Sequence, residues 1–99
     1  MMFNKSVLEF QWDKGNSGKN WIKHNVNDSE CEEVFFDDKK LITKDAFHSG
    51  AEERFILLGE TRGKRLLFVI FTVRQKIKIR IISARDCNKK ERKLYEEKT

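Results

Sequence analysis

Lys64–Arg85 reads KRLLFVIFTVRQKIKIRIISAR, and its two apolar patterns decide the fold class. Lys64 to Thr72 is almost unbroken apolar sequence, which predicts a central strand covered on both faces along much of its length. Val73 to Gln75 turns the chain, and Lys76 to Ala84 forms the last strand. There the side chains alternate: Ile77, Ile79 and Ile81 fall on one face, and Lys76, Lys78 and Arg80 on the other. Two such runs joined by a tight turn predict an antiparallel hairpin.

The rest of the chain builds outward from this hairpin. Upstream, Lys40–Lys44 (KLITK) and Arg54–Leu58 read as strands, separated by the loop Asp45–Gly50 and followed by a turn over Gly59–Gly63. Near the start, VLEFQW at positions 7–12 alternates Val7, Glu9 and Gln11 against Leu8, Phe10 and Trp12, a short strand with one buried face. Between these lie two helices. The first runs to about His24 with Trp21 and Ile22 as its apolar side, and stops at Asn25, a residue that tolerates left-handed backbone. The second is capped by Asp28 or Ser29, places Cys31, Val34 and Phe35 on one face, and ends at Asp37-Asp38. Asn88 caps a final helix, with Glu91 at the capping-box position. The order is β-α-α-β-β-β-β-α: an α+β domain with an antiparallel sheet, two helices in the N-terminal half and one at the C-terminus.

With 99 residues the chain makes a single domain over 1–99 with one modest core. No proline and only five glycines argue against a disordered or linker-rich chain. The longest apolar run, Leu66–Phe71, falls far short of the ~18 residues of a membrane span. The opening MMFNKSVLEF carries no leader pattern, so the expected location is cytoplasmic, with no membrane partner. Cys31 and Cys87 belong to no CxxC or Cys/His cluster, so they read as ordinary part-buried thiols; neither metal nor cofactor is expected.

Charge narrows the function. Residues 1–60 hold 8 Lys/Arg and 12 Asp/Glu (8 − 12 = −4), and residues 61–99 hold 13 and 4 (13 − 4 = +9). That split points to a polyanion or an acidic protein partner. Lys76, Lys78 and Arg80 would repeat at roughly 7 Å along one strand face, close to the phosphate spacing of a single nucleic-acid strand. Arg62, Arg92 and other cations flank them. Arg85 lies where the last strand meets the last helix, whose free N–H groups suit a phosphate. Ser83 falls on the isoleucine face unless the strand bends. Tyr95, the only tyrosine, packs on the sheet edge, stacks on a base or acts as an acid. RNA cleavage needs a base for the ribose 2′-OH, cations for the developing charge and a proton for the leaving oxygen. His24, beside Lys23 at a helix end, and His48, in a polar loop, are the candidate bases; a helix-end cap is the other role open to His24. The carboxylates lie on the second helix and in Glu52-Glu53, a poor match for metal catalysis.

Three stretches together resemble the BrnT toxins of bacterial type II toxin–antitoxin modules. The first is Phe10-Gln11-Trp12-Asp13 with Asn20, Lys23-His24 and Val26. The second is Glu33-Val34-Phe35 with Asp37, Asp45, His48, Glu52-Glu53-Arg54-Phe55 and Gly59. The third is Leu66-Leu67-Phe68-Val69 with Thr72 and Arg74, then Ile79-Arg80-Ile81-Ile82-Ser83-Ala84-Arg85, and Glu91-Arg92 with Tyr95-Glu96. The resemblance spans about residues 8–97 in one order. It departs at Asn25, where the family usually has Gly, near Asn16, where it usually has a basic residue, and at Asp28 and Cys31, where it usually has Phe and Ala.

The resemblance implies a compact RelE-like fold and a ribonuclease that arrests translation. It also implies a BrnA-type antitoxin with a ribbon-helix-helix region, forming a 2:2 heterotetramer that reaches operator DNA only through the antitoxin. Carried onto this chain, the expected catalytic group is His24, Arg80, Arg85 and Tyr95, with His24 or Tyr95 moving the proton. Lys23, Arg62, Ser83 and Arg92 are the expected RNA contacts on that motif, joined by Lys76 and Lys78 from the strand-face alternation, with no metal and no cofactor. The alternative is a non-catalytic nucleic-acid- or antitoxin-binding module acting in operon autorepression.

Overall fold

The computed structural model describes residues 9–47 and 50–98; His48 lies outside them. The sheet has five strands: β1 (Glu9–Phe10), β2 (Leu41–Lys44), β3 (Phe55–Glu60), β4 (Leu66–Arg74) and β5 (Lys78–Asp86), in the spatial order β1-β5-β4-β3-β2. Strands β2 to β5 form the expected antiparallel meander, while β1 adds to β5 in parallel, so the sheet is mixed. Two residues of alternating sequence carry no information on direction; β1 is set by backbone bonds from the Glu9 and Gln11 amides to the Ile77 and Ile79 carbonyls at 3.2 and 2.8 Å.

Helices α1 (Lys19–His24) and α2 (Asp28–Glu33), the latter continued by a 3₁₀ turn over Val34–Phe36, cover one sheet face. Val26, Cys31, Val34 and Phe35 meet Leu57, Leu67, Val69, Phe71, Ile79, Ile81 and Ala84 there. Phe35 stands edge-on to both Phe10 and Phe71, at ring separations of 5.3 and 5.0 Å. Each fully buried side chain of this kind stabilises the fold by about 1.5–3 kcal/mol. Helix α3 (Lys89–Glu97) sits on the opposite face, where Tyr95 packs with Leu58 and Leu66 against Leu41, Ile56, Phe68 and Cys87. Burial pushes Cys31 up to about 12 and Cys87 up to about 11, so both stay thiols at neutral pH. Among the described residues no helix is long and apolar enough to cross a membrane.

Several local expectations need correction. The N-cap of α2 is Asn27, not Asp28 or Ser29: its side chain accepts from the Glu30 amide at 2.8 Å while Glu30 returns the bond. Trp21 and Ile22 do not face the core. They are 55% and 84% exposed, and the buried residue of α1 is Asn20. The β4–β5 turn lies over Gln75–Ile77 rather than Val73–Gln75, with Gln75 and Lys76 both left-handed at φ 53° and 67°. Asn25 does end α1 in left-handed backbone, at φ 56°.

The most consequential feature is in β5. Ser83 pairs with Ile70 but Ile81 pairs with Phe71, so Ile82 is an extra residue, a β-bulge. Ile79 and Ile81 face the core before it, and Ala84 after it. Ser83 and Arg85 therefore share the face of Lys78 and Arg80. The bulge lies where β1 no longer covers the outer edge of β5, and two buried asparagines satisfy that edge. Asn16 donates to the Ile81 carbonyl at 3.2 Å and the Gln11 carbonyl at 2.8 Å, and Asn20 accepts from the Ala84 amide at 2.9 Å. Asn16 is 3% exposed, so that position fastens a loop to the sheet and is closed to a phosphate. Asn20→Ala leaves the Ala84 N–H buried without a partner and is expected to cost about 1–3 kcal/mol, read as a lower urea midpoint at unchanged slope.

Candidate functional site

The part of the second sheet face beyond α3 follows β5, and its side chains are part-buried, with Thr72 fully buried. Lys78, Arg80, Ser83 and Arg85 project there, opposite Arg74, Thr72, Ile70 and Phe68 of β4. Arg80 and Arg85 sit across from Thr72 and Phe68, four residues apart on β4, so their backbones are about 13 Å apart with Ser83 between them.

The arginines of this face and of its end are held by carboxylates. Arg80 makes a two-pronged pair with Asp13, at 2.7 and 3.0 Å. Arg74 does the same with Glu52, at 2.9 Å on both prongs, and also reaches Gln11 at 3.1 Å. Arg85 grips Glu91 at 2.8 and 2.9 Å and places its guanidinium carbon over Phe68, 4.0 Å from the ring centre. Arg65 bonds Asp86 at 2.6 and 3.1 Å and Glu30 at 3.1 Å, and its guanidinium caps the His24 and Asn25 carbonyls at the end of α1. Arg65 spends all five of its N–H donors on these partners, whereas Arg74, Arg80 and Arg85 use two or three and keep donors for a phosphate while their orientation is fixed. Lys78 holds no carboxylate among the described residues.

These pairs set the titration of the acids. The Arg80 hydrogen bond holds Asp13 below its usual range, Arg74 does so for Glu52, and Arg65 for Asp86. Burial works to raise Glu91, but the Arg85 bond and the Asn88 amide outweigh it. All four are anions near neutral pH.

The expected catalytic residues do not form one cluster. His24 is exposed at the end of α1; with Arg92 it lies near enough to Asp86 to help hold that carboxyl low, which places both at the corner where β5 ends and α3 begins. Lys23 is exposed beside His24. Tyr95 is separate. Its ring is buried, and its hydroxyl donates to Asp37 at 2.6 Å, two strands away from β5. Burial, then the Asp37 carboxylate, pushes its titration further above the usual phenol range, so it packs α3 and is ill suited to give up a proton. Arg62 is exposed in the β3–β4 turn and lines a cavity of about 360 Å³ with Tyr95, Asp37 and Glu60, away from β5. Lys76 leaves the Lys78–Arg80 face for the turn, where it borders a hollow with Glu53, Phe55 and Val73.

Sequence reading missed the carboxylate partners. Asp13, Glu52 and Glu91 stood in quoted motifs, but nothing tied Asp13 to Arg80, Glu52 to Arg74, or Glu91 and Phe68 to Arg85. Among the described residues no group of three or more His, Cys, Asp or Glu is placed to hold a metal ion.

The family model described as "Ribonuclease toxin, BrnT, of type II toxin-antitoxin system" covers residues 12–91, which include the bulge, the two asparagines and the arginine–carboxylate pairs. No curated protein matches the chain.

The four acids titrate lower in the fold than their ordinary values of 3.8 for Asp13 and Asp86 and 4.5 for Glu52 and Glu91. The stability they contribute is complete above those values and lost as pH falls through the lower folded ones. These acids predict a urea midpoint that is flat down to about pH 5 and declines below about pH 4; a midpoint still flat at pH 3 would mean the pairs are not linked to folding.

Proposed function

The chain belongs to the BrnT family of ribonuclease toxins of type II toxin–antitoxin systems, and from that premise we propose that it cuts RNA without a metal ion across the outer face of β5. One observation carries the reading: the bulge at Ile82 turns Ser83 and Arg85 onto the face of Lys78 and Arg80, giving a polar, cationic track along one strand. The RNA backbone lies along it. A phosphate above Ser83 takes N–H donors from Arg80 on one side and Arg85 on the other, and Lys78 holds the phosphate beyond.

Arg85 is the group best placed to stabilise the charge that builds on the scissile phosphate, because Phe68 and Glu91 fix its plane before substrate arrives. His24 takes the proton from the ribose 2′-OH at the β5–α3 corner, with Arg92 and Lys23 holding flanking phosphates. The 2′ oxygen attacks phosphorus, the bond to the 5′ oxygen breaks, and the leaving oxygen is protonated from water. Tyr95 drops out of the proton-transfer role, and Arg62 and Lys76 out of the RNA track. The acids beside β5 each hold an arginine rather than one another, which supports a reaction run on guanidinium groups.

The antitoxin partner is BrnA-type in this reading, in a 2:2 assembly that contacts operator DNA through the antitoxin. Its docking surface is α1, where the exposed Trp21 and Ile22 stand among Lys19, Lys23 and His24. An apolar pair ringed by cations fits an acidic amphipathic segment, and such a segment laid on α1 also covers His24.

Two measurements test this. Purified chain should cut single-stranded RNA equally well with and without EDTA, and Arg85→Ala should slow cleavage by roughly a hundredfold or more with the fold retained by circular dichroism. Loss of cleavage in EDTA would replace the mechanism with a metal-dependent one, and intact RNA at confirmed folding would favour a pure binding module. Ile22→Asp, outside the cleavage track, should weaken antitoxin binding by at least about tenfold in titration calorimetry while RNA cleavage is unchanged.

A further inference from the structure

A hollow of about 280 Å³ opens on the same sheet face, lined by Gly50, Ala51, Glu52, Arg54, Thr72 and Ile82. Thr72 forms part of its floor. Its side chain is 2% exposed, and its hydroxyl is the one buried side-chain polar atom among the described residues without a hydrogen-bond partner. A valine has the same shape and would fill the strand position without burying an unpaired hydroxyl. The position is also set by the site: Thr72 is the β4 residue directly opposite Arg80, and Ile82 is the bulge residue that turns Ser83 outward.

We propose that this hollow is a nucleobase subsite, which receives the base attached to the phosphate on Arg80 and gives cleavage its sequence preference. The inference rests on the ribonuclease reading above. Ile82 and Ala51 offer apolar surface to the flat face of a base. The Thr72 hydroxyl can both donate and accept, Arg54 supplies donors, and Glu52 supplies a carboxylate acceptor. Arg74 holds that carboxylate through both oxygens and still leaves lone pairs for a second donor. A bare phosphate does not suit a hollow with Glu52 on its rim. Guanine does: its N1–H and amino group are neighbouring donors for the carboxylate, and its O6 accepts from Thr72 or Arg54.

The test compares Thr72→Val with the unchanged chain on a pool of short RNAs of random sequence, with cut sites mapped by sequencing. Guanosine, adenosine, cytidine and uridine are also titrated into the Arg85→Ala protein while the Thr72 amide and methyl signals are followed by NMR. The expected result is enrichment of guanine at one fixed position beside the cut, reduced roughly three- to tenfold by Thr72→Val, as for one lost hydrogen bond. Guanosine should shift the Thr72 signals more than the other nucleosides, and Thr72→Val should be at least as stable as the original. An unchanged preference in Thr72→Val, with no guanosine shift, overturns the subsite and leaves the ribonuclease reading standing. Guanosine shifts at Thr72 without any RNA cleavage support the subsite and overturn the cleavage reading instead.

Discussion

A single extra residue in β5 governs how this molecule presents its charge. Without the bulge at Ile82, strict alternation would put Arg85 on the face opposite Arg80, under the helices with Ala84 turned outward. With it, Ile79, Ile81 and Ala84 all stay in the core while Arg80, Ser83 and Arg85 share one surface. A bulge leaves backbone groups without ladder partners, and it lies where the two-residue β1 has already ended. Asn16 and Asn20 take over that edge, bonding the Ile81 carbonyl and the Ala84 amide. The first turn-and-helix segment of the chain therefore acts as a side-chain substitute for the missing length of β1. It also closes an edge that would otherwise invite strand pairing with another chain.

The same economy shows in the electrostatics. The chain looks divided into an acidic N-terminal part and a basic C-terminal part, yet folding threads one through the other. Asp13 meets Arg80, Glu52 meets Arg74, and Glu30 meets Arg65. The acids are thus more than scaffold. The more exposed Arg74–Glu52 pair contributes little stability, commonly below about 1 kcal/mol for such pairs. The larger effect of these pairs is to fix the guanidinium planes. In the proposed RNA track a phosphate would meet plates already oriented, so less side-chain entropy would be lost on binding than with free lysines. The corner built on Arg65 goes further, because that one side chain closes the last carbonyls of α1 and ties Asp86 and Glu30 together.

The fold was largely legible because hydrophobic periodicity is a local signal. The order of elements, the meander of four strands, the Asn25 stop and the Asn88–Glu91 capping box could all be read from the chain. What escaped was non-local. The parallel placement of β1 depends on a contact between residues about seventy positions apart. The bulge depends on which of two adjacent isoleucines, Ile81 or Ile82, fits the core, and alternation alone cannot choose. That choice settled Ser83, whose face was conditional on a bend in the strand. Trp21 and Ile22 misled for the opposite reason: apolar residues on a six-residue helix suggested a buried side, but the layer beneath α1 is reached through Asn20. For the site, residue types, the β5 track and the packing of Tyr95 on the sheet were readable, while its partner Asp37 was not, because that bond joins α3 to a loop fifty-eight positions away.

These placements divide the work of the molecule between its two faces. The helical face carries the dense aromatic and aliphatic core, and its outer surface leaves an apolar, cation-ringed α1 to solvent. The other face is covered by α3 only over one end, around Leu58, Leu66 and Phe68, and the uncovered remainder holds the arginine track and the hollow beside Thr72. A substrate on β5 and a protein on α1 would therefore approach from opposite sides of the sheet, nearest one another at the corner where β5 ends, close to which His24 lies. In the proposed mechanism, control by a partner on α1 would not require it to fill the β5 track: it would need only to cover His24, the proposed base, which lies on the helical side.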